Sequence, residues 1–154
     1  MLHAARLRLE QPTPRVALGQ ALRGVASAAA DISDGLLGDL GHILQRSGVG
    51  ATLDTAIAIH LLAALACFTG TSSSFGNMPW PQLALQCVLA GGDDYELVFT
   101  ASAALDAAVQ AASRASDTPV TRIGQIDAVP GLRLVDGHGA PVAHTFTPFD
   151  HFKA

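Results

Sequence analysis

The chain has 154 residues, of which 49% are hydrophobic, and this size and composition predict one compact domain with a sizeable core. Its formal net charge is −4 and its nine Lys and Arg residues are scattered, which argues against nucleic acid or an anionic membrane as a partner. The longest apolar run, residues 56–68, is too short to span a bilayer. Cys67 and Cys87 lack metal-ligand spacing, so we expect a reduced, cytoplasmic protein.

Helices and strands alternate in the first half of the chain. Thr13 and Pro14 read as an N-cap followed by a first-turn proline, and they predict a helix over residues 14–26. Residues 27–32 are small and apolar, as in a short buried strand, and Ser33 or Asp34 can cap an amphipathic helix that Gly48 ends. The other elements predicted here are a strand at 51–54, a helix at 59–68, a loop at 70–81 and a helix at 81–89.

Strands are more frequent in the second half. Gly91 and Gly92 predict a turn, and residues 95–100 alternate in the manner of a half-buried strand. Ser102 can cap an alanine-rich helix that ends near residue 115. The remaining predicted strands are 120–126, 132–135 and 141–144, with turns at 130–131 and 136–137 between them. Early alternation followed by clustered strands favours a layered α+β domain over a purely parallel sheet.

The first motif with chemical content spans residues 31–36 and reads Asp-Ile-Ser-Asp-Gly-Leu. Two carboxylates at a helix N-terminus can hold Mg²⁺ and thereby receive a phosphate. Asp31 follows four small residues, so we expect it to be buried and to need a partner, and Gly35 would let a ligand approach closely. The alternative is a helix cap with a surface acid, which requires no ligand. Asp39 is expected on the solvated side of the helix, without a role.

The second motif spans residues 91–99 and places a glycine turn and three acids before a strand. A plain turn would explain the glycines. Strand alternation puts Asp94 and Glu96 on one face and Asp93 and Tyr95 on the other, so at least one acid should face the covered side and need a ligand or a basic partner. The tail, residues 146–152, holds three of the six phenylalanines and either packs on the core or forms an aromatic wall for a planar ligand.

In this order the motifs resemble the C-terminal half of thiamine-monophosphate kinase, in the superfamily of aminoimidazole ribonucleotide synthetase and selenophosphate synthetase. The resemblance implies an α+β fold, a layered α/β/α domain with a mixed sheet that is partly ferredoxin-like. Residues 1–26 would then be a linker remnant and first helix, residues 27–154 the C-terminal domain, and the family's N-terminal domain would be absent. The segments that carry the resemblance are 12–15, 19–22, 31–36, 39–43, 91–97 and 149–152.

The resemblance also implies a reaction, in which ATP phosphorylates thiamine monophosphate to thiamine diphosphate with several Mg²⁺ ions between the two anions. Asp31 and Asp34 would be Mg²⁺ ligands, and Ser33 would contact the nucleotide phosphates. Asp93 would face the substrate and Phe149 would pack on the thiamine rings. The chain departs from the family at two of these positions, because the family usually has Glu in place of Asp93 and often Tyr or Trp in place of Phe149.

Two classes of function follow. The first is an enzyme part that needs the missing N-terminal domain for turnover and that forms a homodimer in the full-length protein. The second is a non-catalytic or regulatory module that binds thiamine phosphates without chemistry. A nearer alternative is another ATP-using enzyme of the same superfamily, against which the thiamine-like tail argues.

Overall fold

The structure is a computed structural model that describes residue 6 and residues 10–61, 80–92 and 95–143. Within these residues no helix combines the length and the hydrophobicity needed to cross a membrane. The α-helices are α1 (Val16–Ala21), α2 (Leu36–Ser47), α3 (Thr55–Ala58), α4 (Trp80–Ala90) and α5 (Asp106–Ala115). The strands are β1 (Ala26–Asp31), β2 (Gly50–Asp54), β3 (Leu97–Ala101), β4 (Gly124–Asp127) and β5 (Gly131–Val135), and short 3-10 helices cover Ile59–Leu61 and Ala103–Leu105.

The described strands form two small sheets. β1 pairs with β3 in antiparallel orientation, with Asp31 opposite Leu97 and an irregularity between Ala26 and Ala28. β2 lies at the centre of the other sheet, antiparallel to β4 and parallel to β5. The second sheet is therefore mixed, and the predicted α+β class is confirmed.

The side chains of β3 enter two different cores, because successive side chains of a strand point to opposite sides. Val98 of β3 packs into the larger core with α2 and α4. Leu97 and Phe99 pack on the other side, against a smaller core made by Leu18, Leu22 and Ala112. These two cores give the layered arrangement that the element order favoured. The buried members of the larger core are Ile32, Leu36, Leu37, Leu40, Leu44, Ala51, Leu53, Ala58, Val88, Leu89, Val98 and Leu134.

α2 forms where its leucines predict it, and Gly48 ends it in the left-handed conformation that glycine adopts readily. The prediction for its start is wrong. Gly35, not Ser33 or Asp34, is the N-cap residue, and no side chain caps the helix. The backbone N–H groups of Ser33 and Asp34 instead donate to the carboxylate of Asp39, which lies inside the helix. The turn before α2 is therefore held by a helix side chain rather than by a side chain of the turn.

Other boundaries differ from the prediction for local reasons. α1 ends at Ala21, because a turn at 22–25 leads directly into β1. β3 begins at Leu97, since Tyr95 has a φ of 53° that a strand cannot continue through. Of the predicted strand at 120–126 only its end belongs to β4, and Pro141 makes a single bridge to Val135.

Only the first three residues of the predicted helix at 59–68 are described, and they form a 3-10 helix that follows α3. Asp54 caps α3 by accepting hydrogen bonds from the N–H groups of Ala56 and Ile57, and the 3-10 helix follows. Residues 62–79, with most of the predicted loop, lie outside the described residues.

The packing of α2 gives a direct test of the larger core. Leu40 is 2% exposed, so Leu40→Ala should lower the free energy of unfolding by about 2–5 kcal/mol through lost burial and a residual cavity. Urea unfolding followed by circular dichroism measures this loss. Val16→Ala is the control, because Val16 is 61% exposed and its truncation should cost about 0.5 kcal/mol or less. Equal losses in the two variants would contradict the assignment of the core.

Candidate functional site

The two acidic motifs meet at the end of the β1–β3 pair. Beyond Asp31 the ladder continues, because the Ile32 N–H donates to the Glu96 carbonyl at 2.8 Å and the Tyr95 N–H donates to the Ile32 carbonyl at 2.9 Å. These two hydrogen bonds hold the start of the first motif beside the middle of the second. The acidic turn, defined here as residues 31–35, therefore lies against residues 91–92 and 95–96.

Glycine lets the two segments touch through their backbones. Gly35 has a φ of +110°, and a Cβ built on it would lie 3.0 Å from backbone atoms of Ala90. A Cβ on Gly92 would lie 2.7 Å from the Ser33 carbonyl oxygen. We expected Gly35 to make room for a ligand. In the structure it makes room for the backbone of the neighbouring segment.

Asp31 lies on the exposed face of β1, so the expectation that it is buried is wrong. The burial of β1 alternates, and Ser27, Ala29 and Asp31 share the exposed side. The small side chains of β1 therefore belong to a strand with one exposed face, and not to a strand that is buried on both faces. An exposed carboxylate has no desolvation cost to offset, but it is accessible to a cation from solvent.

Ser33 and Asp34 are half-buried in the acidic turn. The Ser33 Oγ lies 3.5 Å from Asp34 Oδ1, a long contact at the limit of a hydrogen bond. The two residues predicted as Mg²⁺ ligands, Asp31 and Asp34, thus stand at either end of one short segment with Ser33 between them. The other two predicted site residues, Asp93 and Phe149, lie outside the described residues. Gly92, the residue before Asp93, packs on Ser33.

Asp39 is a site residue that the sequence analysis missed. It is 8% exposed, not solvated as expected, and it lies in the first turn of α2. Its Oδ2 accepts hydrogen bonds from the Ser33 N–H at 2.9 Å and from the Asp34 N–H at 3.1 Å. The carboxylate of Asp39 therefore holds the backbone of the acidic turn.

A second missed contact joins Arg15, at the start of α1, to Glu96. The Arg15 Nε donates to Glu96 Oε2 at 2.8 Å and its Nη2 donates to Oε1 at 2.7 Å, which makes a bidentate pair. The hydrogen bond to Glu96 raises the pKa of Arg15, while burial opposes the shift. Glu96 therefore has the basic partner that the sequence analysis anticipated for one of the acids, and the pair ties α1 to the second motif.

The described part of the site is predominantly acidic. Asp31, Asp34 and Asp39 belong to one segment of the chain, and the nearby Arg15 is engaged by Glu96. Such a site favours a cation and disfavours a bare phosphate. Among the described residues no three His, Cys, Asp or Glu side chains form a ready-made metal cage. Mg²⁺ does not require one, since it is usually bound by one or two carboxylates together with water and substrate phosphates.

Comparison with known proteins identifies the chain's relatives. The family model for "AIR synthase related protein, C-terminal domain" matches residues 4–137. The chain belongs to this family. The predicted resemblance to the superfamily is thereby confirmed.

Relatives of this chain include several thiamine-monophosphate kinases. The enzyme of Salmonella typhimurium is 40% identical over 143 residues, which are 92% of this chain and 40% of the relative. The enzyme of Haemophilus influenzae is 41% identical over 151 residues, covering 93% of this chain and 41% of the relative. The chain thus spans about 40% of the length of these curated relatives.

Solved structures agree with the sequence comparison. The crystal structure of thiamine-monophosphate kinase from Stenotrophomonas maltophilia K279a is 41% identical with a TM-score of 0.69, and the match covers 90% of this chain and 40% of that one. AaThiL complexed with AMPPCP and TMP is 25% identical with a TM-score of 0.63, covering 97% of this chain and 41% of that one. The fold of this AIR synthase related domain is therefore shared with kinase structures.

Two glycine substitutions should change the free energy of unfolding in opposite directions, because Gly35 lies in the contact between the two motifs and Gly41 does not. Gly35→Ala should lower the free energy of unfolding by about 1–3 kcal/mol from backbone strain alone, with a further cost from the contact with Ala90. Gly41→Ala, inside α2 and with no atom near its built Cβ, should raise it by up to about 1 kcal/mol. Urea unfolding of both variants checks the signs. A neutral Gly35→Ala would contradict the close backbone contact.

The Arg15–Glu96 pair predicts a measurable coupling. A double-mutant cycle of Arg15→Ala and Glu96→Ala should give a coupling energy of about 0.5–1 kcal/mol in the free energy of unfolding, because both side chains are partly exposed. Arg15→Lys serves as the matched control, since it keeps the charge but loses the two parallel hydrogen bonds. A coupling of zero would show that the pair does not hold α1 to the second motif.

Proposed function

We propose that this chain is the C-terminal part of a thiamine-monophosphate kinase, which uses ATP to convert thiamine monophosphate to thiamine diphosphate. The observation that carries the proposal is the acidic turn held against the glycine segment of residues 91–92, in a chain 40% identical to such kinases. AaThiL complexed with AMPPCP, an ATP analogue, and TMP supports the choice of ligands. Residues 27–154 would form the C-terminal domain, and residues 1–26 a linker and first helix.

The acids of the turn are assigned by their chemistry. Asp31 and Asp34 would be the Mg²⁺ ligands, since they offer the oxygen donors that Mg²⁺ prefers and one of them is exposed. When bound, Mg²⁺ supplies the positive charge that lets two phosphate groups approach each other. Ser33 would contact the nucleotide phosphates through its hydroxyl group, because its N–H already donates to Asp39. Asp93 would face thiamine monophosphate, and Phe149 would pack on its rings.

The proposed reaction requires no covalent bond between the protein and the substrates. A phosphate oxygen of thiamine monophosphate attacks the γ-phosphorus of ATP, the bond to the β-phosphate oxygen breaks, and ADP leaves with the electron pair. The attacking oxygen is largely ionised at neutral pH, since the second pKa of a phosphate monoester is about 6, so no side chain has to remove a proton. The residues of this chain would contribute by positioning the two substrates and by supporting charge neutralisation.

The chain by itself would be an incomplete enzyme. It spans about 40% of its relatives' length, so the N-terminal domain that the resemblance implies would complete the substrate site and the homodimer. The setting would be cytoplasmic. We therefore expect binding without turnover from this chain alone.

Complementation tests the proposal. The chain should form no thiamine diphosphate from thiamine monophosphate and Mg-ATP by itself, but should do so when mixed with the part of the Salmonella typhimurium relative that it does not match. In that mixture Asp31→Asn should lower kcat by about 10²-fold or more, because a proposed ligand of the Mg²⁺ that would neutralise charge on the transferring phosphate is lost. Asp106→Asn, an exposed acid on α5, is the matched control and should leave kcat unchanged.

The competing reading is a module that binds thiamine phosphates without catalysis, favoured by the Asp at position 93 where the family usually has Glu. Turnover by the chain alone would contradict the proposal that it is an incomplete enzyme. No product from two folded parts, with the intact Salmonella typhimurium relative active in parallel, would favour the module. Product from a different phosphate acceptor in a substrate panel would instead favour another ATP-using enzyme of the superfamily.

A further inference from the structure

Asp39 is unusual among the acids of this chain. Within the described residues it is the only charged side chain that is buried, at 8% exposure. Burial of a carboxylate is costly unless hydrogen bonds and favourable charges offset the lost hydration. Asp39 therefore needs a structural reason for its position.

The surroundings of Asp39 supply that compensation. One carboxylate oxygen accepts two backbone N–H groups, and the residue lies in the first turn of α2, where the helix dipole favours a negative charge. Its own N–H donates to the Gly35 carbonyl at 3.0 Å, so the backbone of Asp39 is fixed by the helix. The side chain of Asp39 thus anchors the preceding turn to α2.

The two hydrogen bonds from Ser33 and Asp34 to Asp39 also affect whether the turn can bind an anion. Free N–H groups before a helix are suited to receive an anion directly. Here the N–H groups of Ser33 and Asp34 are taken up by Asp39, while the Asp31 carboxylate stays exposed. The turn consequently offers acceptors at positions where a phosphate-binding loop offers donors.

We propose that Asp39 is the positioning residue of the acidic turn: it holds the backbone of Ser33 and Asp34 so that Asp31 and Asp34 can ligate one divalent cation, and it removes two donors that would bind a bare anion. This inference rests on the proposed function, since it takes the Mg²⁺ ligands from it. Asp39 would act through the turn, because its Oδ2 is engaged by the N–H groups of Ser33 and Asp34.

Mg²⁺ affinity measured by titration calorimetry on the whole chain tests this role. Asp39→Asn keeps the size of the side chain but removes its charge, and it should weaken Mg²⁺ binding about 10- to 100-fold, the usual effect of losing a group that orients metal ligands. Leu44→Ala is the matched control, because Leu44 is buried on the same helix but does not belong to the acidic turn. It should lower stability and leave Mg²⁺ affinity within twofold at a temperature where both variants are folded.

Amide hydrogen exchange adds a readout that general destabilisation does not reproduce. The N–H groups of Ser33 and Asp34 should exchange selectively faster in Asp39→Asn, whereas Leu44→Ala should leave their rates unchanged relative to the rest of α2. If Asp39→Asn does not fold, Asp39→Glu takes its place, since the displaced carboxylate should also weaken Mg²⁺ binding.

The outcomes separate this inference from the proposed function. Wild-type Mg²⁺ affinity in a folded Asp39 variant, with the wild-type chain binding Mg²⁺, overturns the role of Asp39 and leaves the kinase proposal standing. A wild-type chain with no Mg²⁺ affinity overturns the inference, while turnover in the complementation assay decides the kinase proposal independently. Selective loss of affinity in the Asp39 variant supports the inference.

Discussion

The arrangement of the site depends on the backbone contact between two distant segments. Ile32 exchanges hydrogen bonds with Tyr95 and Glu96, and beyond this pair Gly35 and Gly92 bring the two turns within backbone contact distance. Any side chain at either glycine would push the segments apart. The chain thereby brings together two segments that are separated in sequence by residues 36–90, which include α2, β2, α3 and α4.

Electrostatics then limits what this site can bind. Asp39 occupies the N–H groups of Ser33 and Asp34, and Arg15 is held by Glu96, so little of the local positive charge is left for a phosphate. A polyphosphate would be repelled by the remaining carboxylates unless a divalent cation accompanied it. These charges are consistent with the proposed Mg²⁺-dependent phosphoryl transfer.

Sequence reasoning predicted the features that depend on local pattern. The leucine spacing of α2, its end at Gly48 and the strand before it follow from residues that are neighbours in the chain. Sequence reasoning failed where a contact between residues far apart in the chain determines the position of a side chain. Small residues around Asp31 suggested burial on both sides, but β1 has one exposed face. Asp39 was placed in solvent because helical spacing does not reveal a side chain that turns back to the preceding loop, and Arg15 and Glu96 are 81 positions apart.

The most direct test of the central claim is a map of amide chemical-shift changes in the ¹⁵N-labelled chain during titration with MgCl₂. If the two motifs form one cation site, the largest changes should occur together at residues 31–35 and 91–96, with the same apparent Kd in both segments. Changes confined to one segment, or centred on another part of the chain such as the β4–β2–β5 sheet, would contradict the claim that these motifs act as a single site.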